Sequence, residues 1–256
     1  MTLPPGYEAV PAPGAWGFAL QDAVPWAREV LAGVGTLYAW AGAHSEASAM
    51  AGRGQVYSVP APVPGPDGHG RWAVRHYYRG GAVARWLHDR YLAVGAPRPL
   101  LEARASATAR ARNIPTPAVV AGAVYRSGAF YRADLVTEYI PESSDLADIL
   151  FGDNRLAMKG EDALTAAGRL VRVLERAGVL HPDLNAKNIV LHRAPEGLRA
   201  HLVDLDRCCA RQAGVPAPAF PMRRRLERSL RKLEGGLERY LPLGAWSALH
   251  KGFEDA

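Results

Sequence analysis

Residues 181–206 read HPDLNAKNIVLHRAPEGLRAHLVDLD, and the fold turns on how this stretch pairs with itself. Two short apolar runs, NIVLHR and LRAHLVDLD, flank APEG, whose Pro and Gly are turn residues, so the spacing predicts an antiparallel hairpin. In such a hairpin the start of the first strand and the end of the second lie at the same end. Asn188 and the polar segment before it then sit beside Asp204, and oxygen-bearing side chains from Asp183, Asn188 and Asp204 converge. Asn188 and Asp204 offer hard oxygen ligands of the kind Mg²⁺ takes while it also bridges substrate phosphates. Asp183 is placed to accept a proton from a hydroxyl. Phosphoryl transfer needs that division of labour: metal to neutralise charge, a carboxylate to orient the nucleophile, and little covalent chemistry by the protein. The bland alternative is a polar turn capping a strand, which Asp and Asn favour anyway. An acid inside the apolar HLVDLD fits that alternative poorly. His181 is read as a structural histidine, since Asp183 already fills the role of base.

On either side of this stretch the chain is helical. EDALTAAGRLVRVLERAG places Leu164, Ala167, Val171 and Leu174 on one helical face, with Gly178 as its stop. RRRLERSLRKLEGGLERYL spaces Leu226, Leu230, Leu233, Leu237 and Leu241 by fours and threes, with Gly235 and Gly236 weakening or splitting the helix. The N-terminal half reads differently. Residues 1–20 are rich in Pro and Gly and are expected to be irregular. GRGQVYSVP and GRWAVRHYY, around the loop APVPGPDGH, predict a hairpin opening on a glycine turn at Gly52 and Gly54. AVARWLHDRYL and PLLEARASATARAR predict helices, and residues 113–140 return to strand patterning. The expectation is an α+β protein of two lobes, a β-rich lobe over 1–140 and a helical lobe over 141–256.

Composition narrows the partners. With 48% apolar residues, 256 residues suffice for one large domain or two small lobes. The net charge of +6 comes mostly from arginine and suits an anionic partner. Cys208 and Cys209 are adjacent and too few for a structural zinc site, which fits a reducing compartment. The N-terminus lacks the pattern of a secretory signal, and the longest apolar stretch, VLAGVGTLYAWAGA, is too short to span a bilayer. A cytoplasmic protein, at most peripheral to a membrane, is expected. No Walker A sequence, HExxH or nucleic-acid-reading motif is present, so P-loop, zincin and base-reading functions are not expected.

HPDLNAKN followed by VDLD resembles the catalytic loop and metal-binding segment of the protein-kinase-like fold, with the same Asp-to-Asn spacing. GRGQVY, VRHYYRGG, HPDLNAKNIVL and RRLERSLRKL, in that order from about residue 50 to 240, resemble the lipopolysaccharide kinase family. The resemblance implies a two-lobed protein-kinase-like fold with ATP and Mg²⁺ between the lobes. It also implies phosphorylation of a hydroxyl of 3-deoxy-D-manno-octulosonic acid (Kdo) on a lipid A precursor, at the cytoplasmic face of a bacterial inner membrane. Carried over by position, Asp183 matches the base, Asn188 and Asp204 the metal ligands, and Gly52, Arg53 and Gly54 the loop over the phosphates. Arg75, in WAVR, stands where the family pattern V-A-I-K has Lys, and Glu102 is its candidate ion-pair partner. Lys187 is an extra cation within reach of the transferred group.

There are departures from the pattern. Asp206 stands where D-F-G has Gly, Pro182 where H-R-D has Arg, and a third loop Gly is absent. Regulation through an activation loop is therefore not expected. The cluster of Arg223, Arg224, Arg225, Arg228, Arg231 and Lys232 is either a solvated helix face or a contact for anionic lipid or the acidic sugar. Three other readings stay open at this point: a kinase of this fold acting on a core heptose or an aminoglycoside, a nucleotide-binding pseudokinase, and a basic nucleic-acid-binding domain.

Overall fold

The computed structural model describes residues 2–50, 55–79, 88–153 and 156–255. They fall into two units, one comprising residues through Ala107 with Ala118–Tyr139, the other Thr108–Pro117 with Ile140 onward.

The first unit is built on an eight-stranded antiparallel sheet. Its strands are β1 (Tyr7–Ala12), β2 (Ala15–Leu20), β3 (Ser48–Met50), β4 (Val56–Pro60), β5 (Arg71–His76), β6 (Tyr91–Leu92), β7 (Val119–Ser127) and β8 (Phe130–Glu138). They run in the order β1-β2-β7-β8-β5-β4-β3, with β6 paired to β8. Helices α1 (Val24–Gly33) and α2 (Leu37–Ala43) cover one face and α3 (Arg98–Ala111) the other. The two-residue period of β5 sends Trp72 and Val74 into the core under α1 and α2, where Trp72 meets the edge of Trp26 at 4.8 Å. Its other parity points toward α3, where Tyr77 joins Phe18, Leu100 and Leu135.

Two expectations for this unit are corrected. Residues 7–20 are a hairpin rather than irregular chain: Tyr7 pairs with Leu20 and Ala12 with Ala15 around Gly14, whose φ of +70° suits glycine. Pro11 is tolerated because β1 is an edge strand of the sheet. The segment expected to be helical through Leu92 ends instead in β6, with Tyr91 stacked on Tyr131; its residues 82–87 lie outside the described ones.

The second unit contains α4 (Leu146–Phe151), α5 (Gly160–Arg176), α6 (Ala219–Leu237) and α7 (Ala245–Glu254). Leu164, Ala167, Val171 and Leu174 of α5 are all fully buried. Gly168 and Gly252 let α5 and α7 approach closely: a Cβ on Gly168 would fall 2.4 Å from the Leu249 carbonyl oxygen, and one on Gly252 would fall 2.2 Å from that of Thr165. In α6, Leu226 and Leu230 are buried, but Leu237 is 51% exposed, so the leucine stripe stops short of its expected length. The helix runs through Gly235 and Gly236 and ends at Glu238, whose φ is +51°.

Strands β9 (Ser143–Asp145), β11 (Ile189–Ala194) and β12 (Gly197–Leu202) form a three-stranded sheet, and β10 (Val179–Leu180) pairs with β13 (Cys209–Ala210). The expected hairpin is present: Ile189 faces Leu202 and Ala194 faces Gly197. Arg112 donates to the carbonyls of Ala177 and Arg211, and Leu202 N donates to Pro115 O, which ties the 108–117 segment into this unit.

Candidate active site

The polar loop between β10 and β11 is fastened from below by apolar side chains and from within by amides. Leu184 and Ala186 are fully buried and anchor it. Asn185 accepts from Lys187 N at 3.0 Å and so caps the short 3₁₀ turn Ala186–Asn188. The side-chain amides of Asn185 and Asn188 both donate to the Asp183 carbonyl, at 2.9 and 3.3 Å. Ala186 N donates to Ser229 Oγ at 3.2 Å, which fixes the loop against α6. These bonds account for much of the crowding of polar residues in HPDLNAKN: several of them build the loop that carries Asp183.

The hairpin brings the second acid to this loop. Val203 N donates to Asn188 O at 3.0 Å, extending the β11–β12 ladder by one step, and Asp204 follows directly. Asp204 has φ +62°, a left-handed conformation that Asp tolerates better than most residues. Backbone held in this way clusters at functional sites. His181 is buried beside both acids and accepts from Asp183 N at 3.3 Å. Burial pushes its imidazole below the ordinary value, against the charges of Asp204 and Asp183 and the Val203 and Asp204 backbone. That supports its reading as a neutral structural residue.

The donor set at this end of the hairpin suits Mg²⁺. Asn188 turns its Nδ2 to the Asp183 carbonyl, so Oδ1 is the atom with which it could coordinate a cation, and Asp204 offers a carboxylate. Lys187 is exposed, and its charge acts on Asp145. Burial is the main force raising the Asp145 carboxyl, opposed by the Asp148 N–H and by Lys187.

The sequence did not disclose what faces Asp183. Arg225 of α6 donates to its Oδ1, and Arg207 lies 3.9 Å from its Oδ2. All three side chains are partly exposed, at 40% for Asp183, 44% for Arg225 and 64% for Arg207. Arg225 is 42 residues from Asp183 in the chain, and only its membership of the basic cluster Arg223–Lys232 hinted at a role. Other cations of that cluster serve the fold. Arg223 pairs with Glu175 and lies over Phe253, and Arg231 lies over Trp246.

In the first unit, Arg75 and Glu102 are paired. The odd parity of β5 turns Arg75 toward α3, where its Nη2 lies 2.6 and 2.5 Å from the two oxygens of Glu102. Tyr77 donates its hydroxyl to Glu102 at 2.6 Å and sets its ring 4.7 Å from the Arg75 guanidinium. Gly52, Arg53 and Gly54 lie outside the described residues. Elsewhere in this unit Asp67, His69 and Glu138 bring one ligand atom each within 4.8 Å of one another. Glu138 accepts from Asp67 N at 2.7 Å and Asp67 accepts from Ala118 N at 3.2 Å, so these acids fasten the β4–β5 loop. Burial first, and then Asp67, raises the Glu138 carboxyl to about 7.

The model of the lipopolysaccharide kinase (Kdo/WaaP) family matches residues 40–252. The chain therefore belongs to that family. Its relatives include proteins named 3-deoxy-D-manno-octulosonic acid kinase. The one from Xanthomonas oryzae pv. oryzae is 36% identical over 207 residues, covering 79% of this chain and 76% of the relative. Those from Stenotrophomonas maltophilia and Xylella fastidiosa are 37% identical over 189 residues (72% and 69% covered) and 33% over 201 (77% and 74%). Among solved structures, WaaP in complex with acyl carrier protein aligns with a TM-score of 0.47 and 18% identity, covering 82% of this chain and 79% of that one.

Proposed function

We propose that this protein transfers the γ-phosphoryl group of ATP to a hydroxyl of the Kdo sugar on a lipid A precursor, a step of lipopolysaccharide core biosynthesis. The architecture we assign is that of a two-lobed protein-kinase-like enzyme, with a nucleotide-binding lobe over 1–140 and a catalytic lobe over 141–256. The acceptor rests on the named relatives. The transfer chemistry rests on one observation above all: the Val203–Asn188 bond brings Asp204 to the loop that carries Asp183.

Asp183 accepts the proton of the sugar hydroxyl as its oxygen attacks the γ-phosphorus and ADP departs. Asn188 and Asp204 would hold Mg²⁺, which when bound neutralises charge on the phosphates. Arg75, oriented by Glu102 and Tyr77, engages the nucleotide phosphates, and Gly52, Arg53 and Gly54 are assigned to the loop over them. Lys187 adds positive charge near the transferred group. An Arg in place of Lys suits phosphate recognition because its fork offers several donors at once.

Access to a lipid-borne sugar calls for a peripheral membrane contact on the cytoplasmic face of the inner membrane. Among the described residues no helix is long and apolar enough to cross a membrane. Arg224, Arg228 and Lys232 are exposed on α6, and Phe220, Leu237, Tyr240 and Leu243, at and beyond its ends, are exposed as well. Exposed cations with apolar neighbours are the combination that binds an anionic bilayer surface.

The test is incubation with labelled ATP, Mg²⁺ and the Kdo-bearing precursor, with the Kdo-free precursor, a heptosylated core and an aminoglycoside in parallel. Label confined to the Kdo-bearing lipid is expected. Label in another acceptor would reassign the substrate, and Mg-ATP binding without any transfer would mark a pseudokinase.

A further inference from the structure

Arg225 donates to Asp183 Oδ1 and Arg207 lies 3.9 Å from Oδ2, so a substrate hydroxyl must compete with two guanidinium groups for this carboxylate. We infer that Arg225 and Arg207 are the acceptor-recognition residues, and that they bind the carboxylate of the acidic sugar in exchange for Asp183. This inference rests on the functional reading above. Kdo is an acid, so the substrate brings a carboxylate of its own close to its hydroxyls. When that carboxylate takes the arginines, Asp183 is released to meet the hydroxyl. Recognition and activation of the base are thereby one event, and a sugar without a carboxylate leaves Asp183 occupied.

Three features support the assignment. Both arginines are substantially exposed, so an incoming anion can reach them. Arg225 and Ser229 lie one helical turn apart on α6 and both touch the loop, so the arginine is held in register with Asp183. Their neighbours Arg223 and Arg231 are engaged with Glu175, Phe253 and Trp246, whereas Arg225 donates to the loop at Asp183. Two planar forks are also the chemistry that a carboxylate selects.

Anionic oxygens could also come from the nucleotide, and kinetics separate the two sources. The experiment compares wild type with Arg225→Ala and Arg207→Ala, on the Kdo-bearing lipid A precursor and on its Kdo methyl ester, with KM measured for acceptor and for ATP. Charge-assisted hydrogen bonds are worth enough that Arg225→Ala is expected to raise the acceptor KM by roughly tenfold to a hundredfold, with ATP KM unchanged. Wild type is expected to discriminate against the ester, and Arg225→Ala to lose that discrimination. Arg225→Lys should recover part of it, which a merely structural role would not require. Arg207→Ala should act in the same direction and less strongly. Undiminished discrimination in Arg225→Ala, or a rise confined to ATP KM, overturns the inference while the kinase reading stands. A wild type that transfers nothing to the Kdo-bearing lipid overturns both.

Discussion

Arg75 donates from Nη2 to both carboxylate oxygens of Glu102, and the Tyr77 hydroxyl adds a third hydrogen bond to the same group. Glu102 is almost fully buried, with 4% of its side chain exposed against 28% for Arg75. The pair belongs to the interior of α3 and β5 on one side and opens to water on the other. Glu102→Ala removes the carboxylate that the Arg75 guanidinium and the Tyr77 hydroxyl both engage. It is expected to cost about 2–3 kcal/mol, toward the low end for a broken buried pair because Arg75 keeps a route to water. Thermal denaturation measures that loss. Arg75→Ala should in addition raise ATP KM several-fold, and an unchanged ATP KM would remove Arg75 from the nucleotide site.

Asp204 separates backbone strain from chemistry. Glycine relieves a left-handed conformation that alanine does not, so Asp204→Gly should be more stable than Asp204→Ala by about 1 kcal/mol. Both should lose transfer, and Mg-ATP binding should weaken in both. Denaturant midpoints and calorimetric titration with Mg-ATP read the two effects independently.

The contact of α5 with α7 is tight enough that one methyl group is expected to disturb it. Gly252→Ala would drive its Cβ against the Thr165 carbonyl, and overpacking of this kind costs about 1–3 kcal/mol. The melting temperature should fall, while transfer at low temperature should persist because α7 carries none of the assigned site residues.

His76 makes the first unit sensitive to alkaline pH. Its Nδ1 lies 2.6 Å from Asp134 and its Nε2 3.1 Å from Asp89, which itself lies 4.0 Å from Arg132. Asp134 also accepts from Tyr125 OH and from Tyr38 N at the start of α2. Burial lowers the His76 pKa, but the hydrogen bonds and charges of Asp134 and then Asp89 outweigh it, and the net shift is upward from 6.5. The folded state therefore holds this proton more tightly than the unfolded chain. The resulting stabilisation is complete below the unfolded pKa of 6.5 and is lost as pH rises through the higher folded value. Melting temperature should decline with pH above neutrality, and His76→Gln should flatten that decline. An NMR titration of the ring placing its pKa below 6.5 would contradict the account.

Membrane contact has a direct check. Replacing Arg224, Arg228 and Lys232 together with Gln should weaken sedimentation with vesicles containing anionic lipid, at low salt most of all. Unchanged sedimentation would refer the lipid contact to another surface.

The sequence revealed what local periodicity controls. The β11–β12 hairpin, the α5 face and the proximity of Asn188 to Asp204 all follow from alternation and turn residues within about twenty positions. Residues 7–20 were misread because Pro11 and Gly14 look like breakers, whereas an edge strand and a tight turn accommodate them. Leu237 fits the stripe of α6 by spacing alone, and half of it is left exposed. The pairing of Arg225 and Arg207 with Asp183 was not legible for another reason. Helical periodicity gives the face a residue occupies but not the distant group that face meets, and Arg225 reaches Asp183 across 42 residues of chain.

The central claim is that Asp183 accepts the proton of a Kdo hydroxyl during transfer from ATP. A single-turnover measurement with preformed Mg-ATP complex, comparing wild type with Asp183→Asn on the Kdo-bearing lipid A precursor, tests it most directly. The account predicts ATP affinity within about twofold of wild type and a chemical step slowed by about a hundredfold or more, the usual contribution of a positioned base. Transfer at the wild-type rate in Asp183→Asn would contradict it.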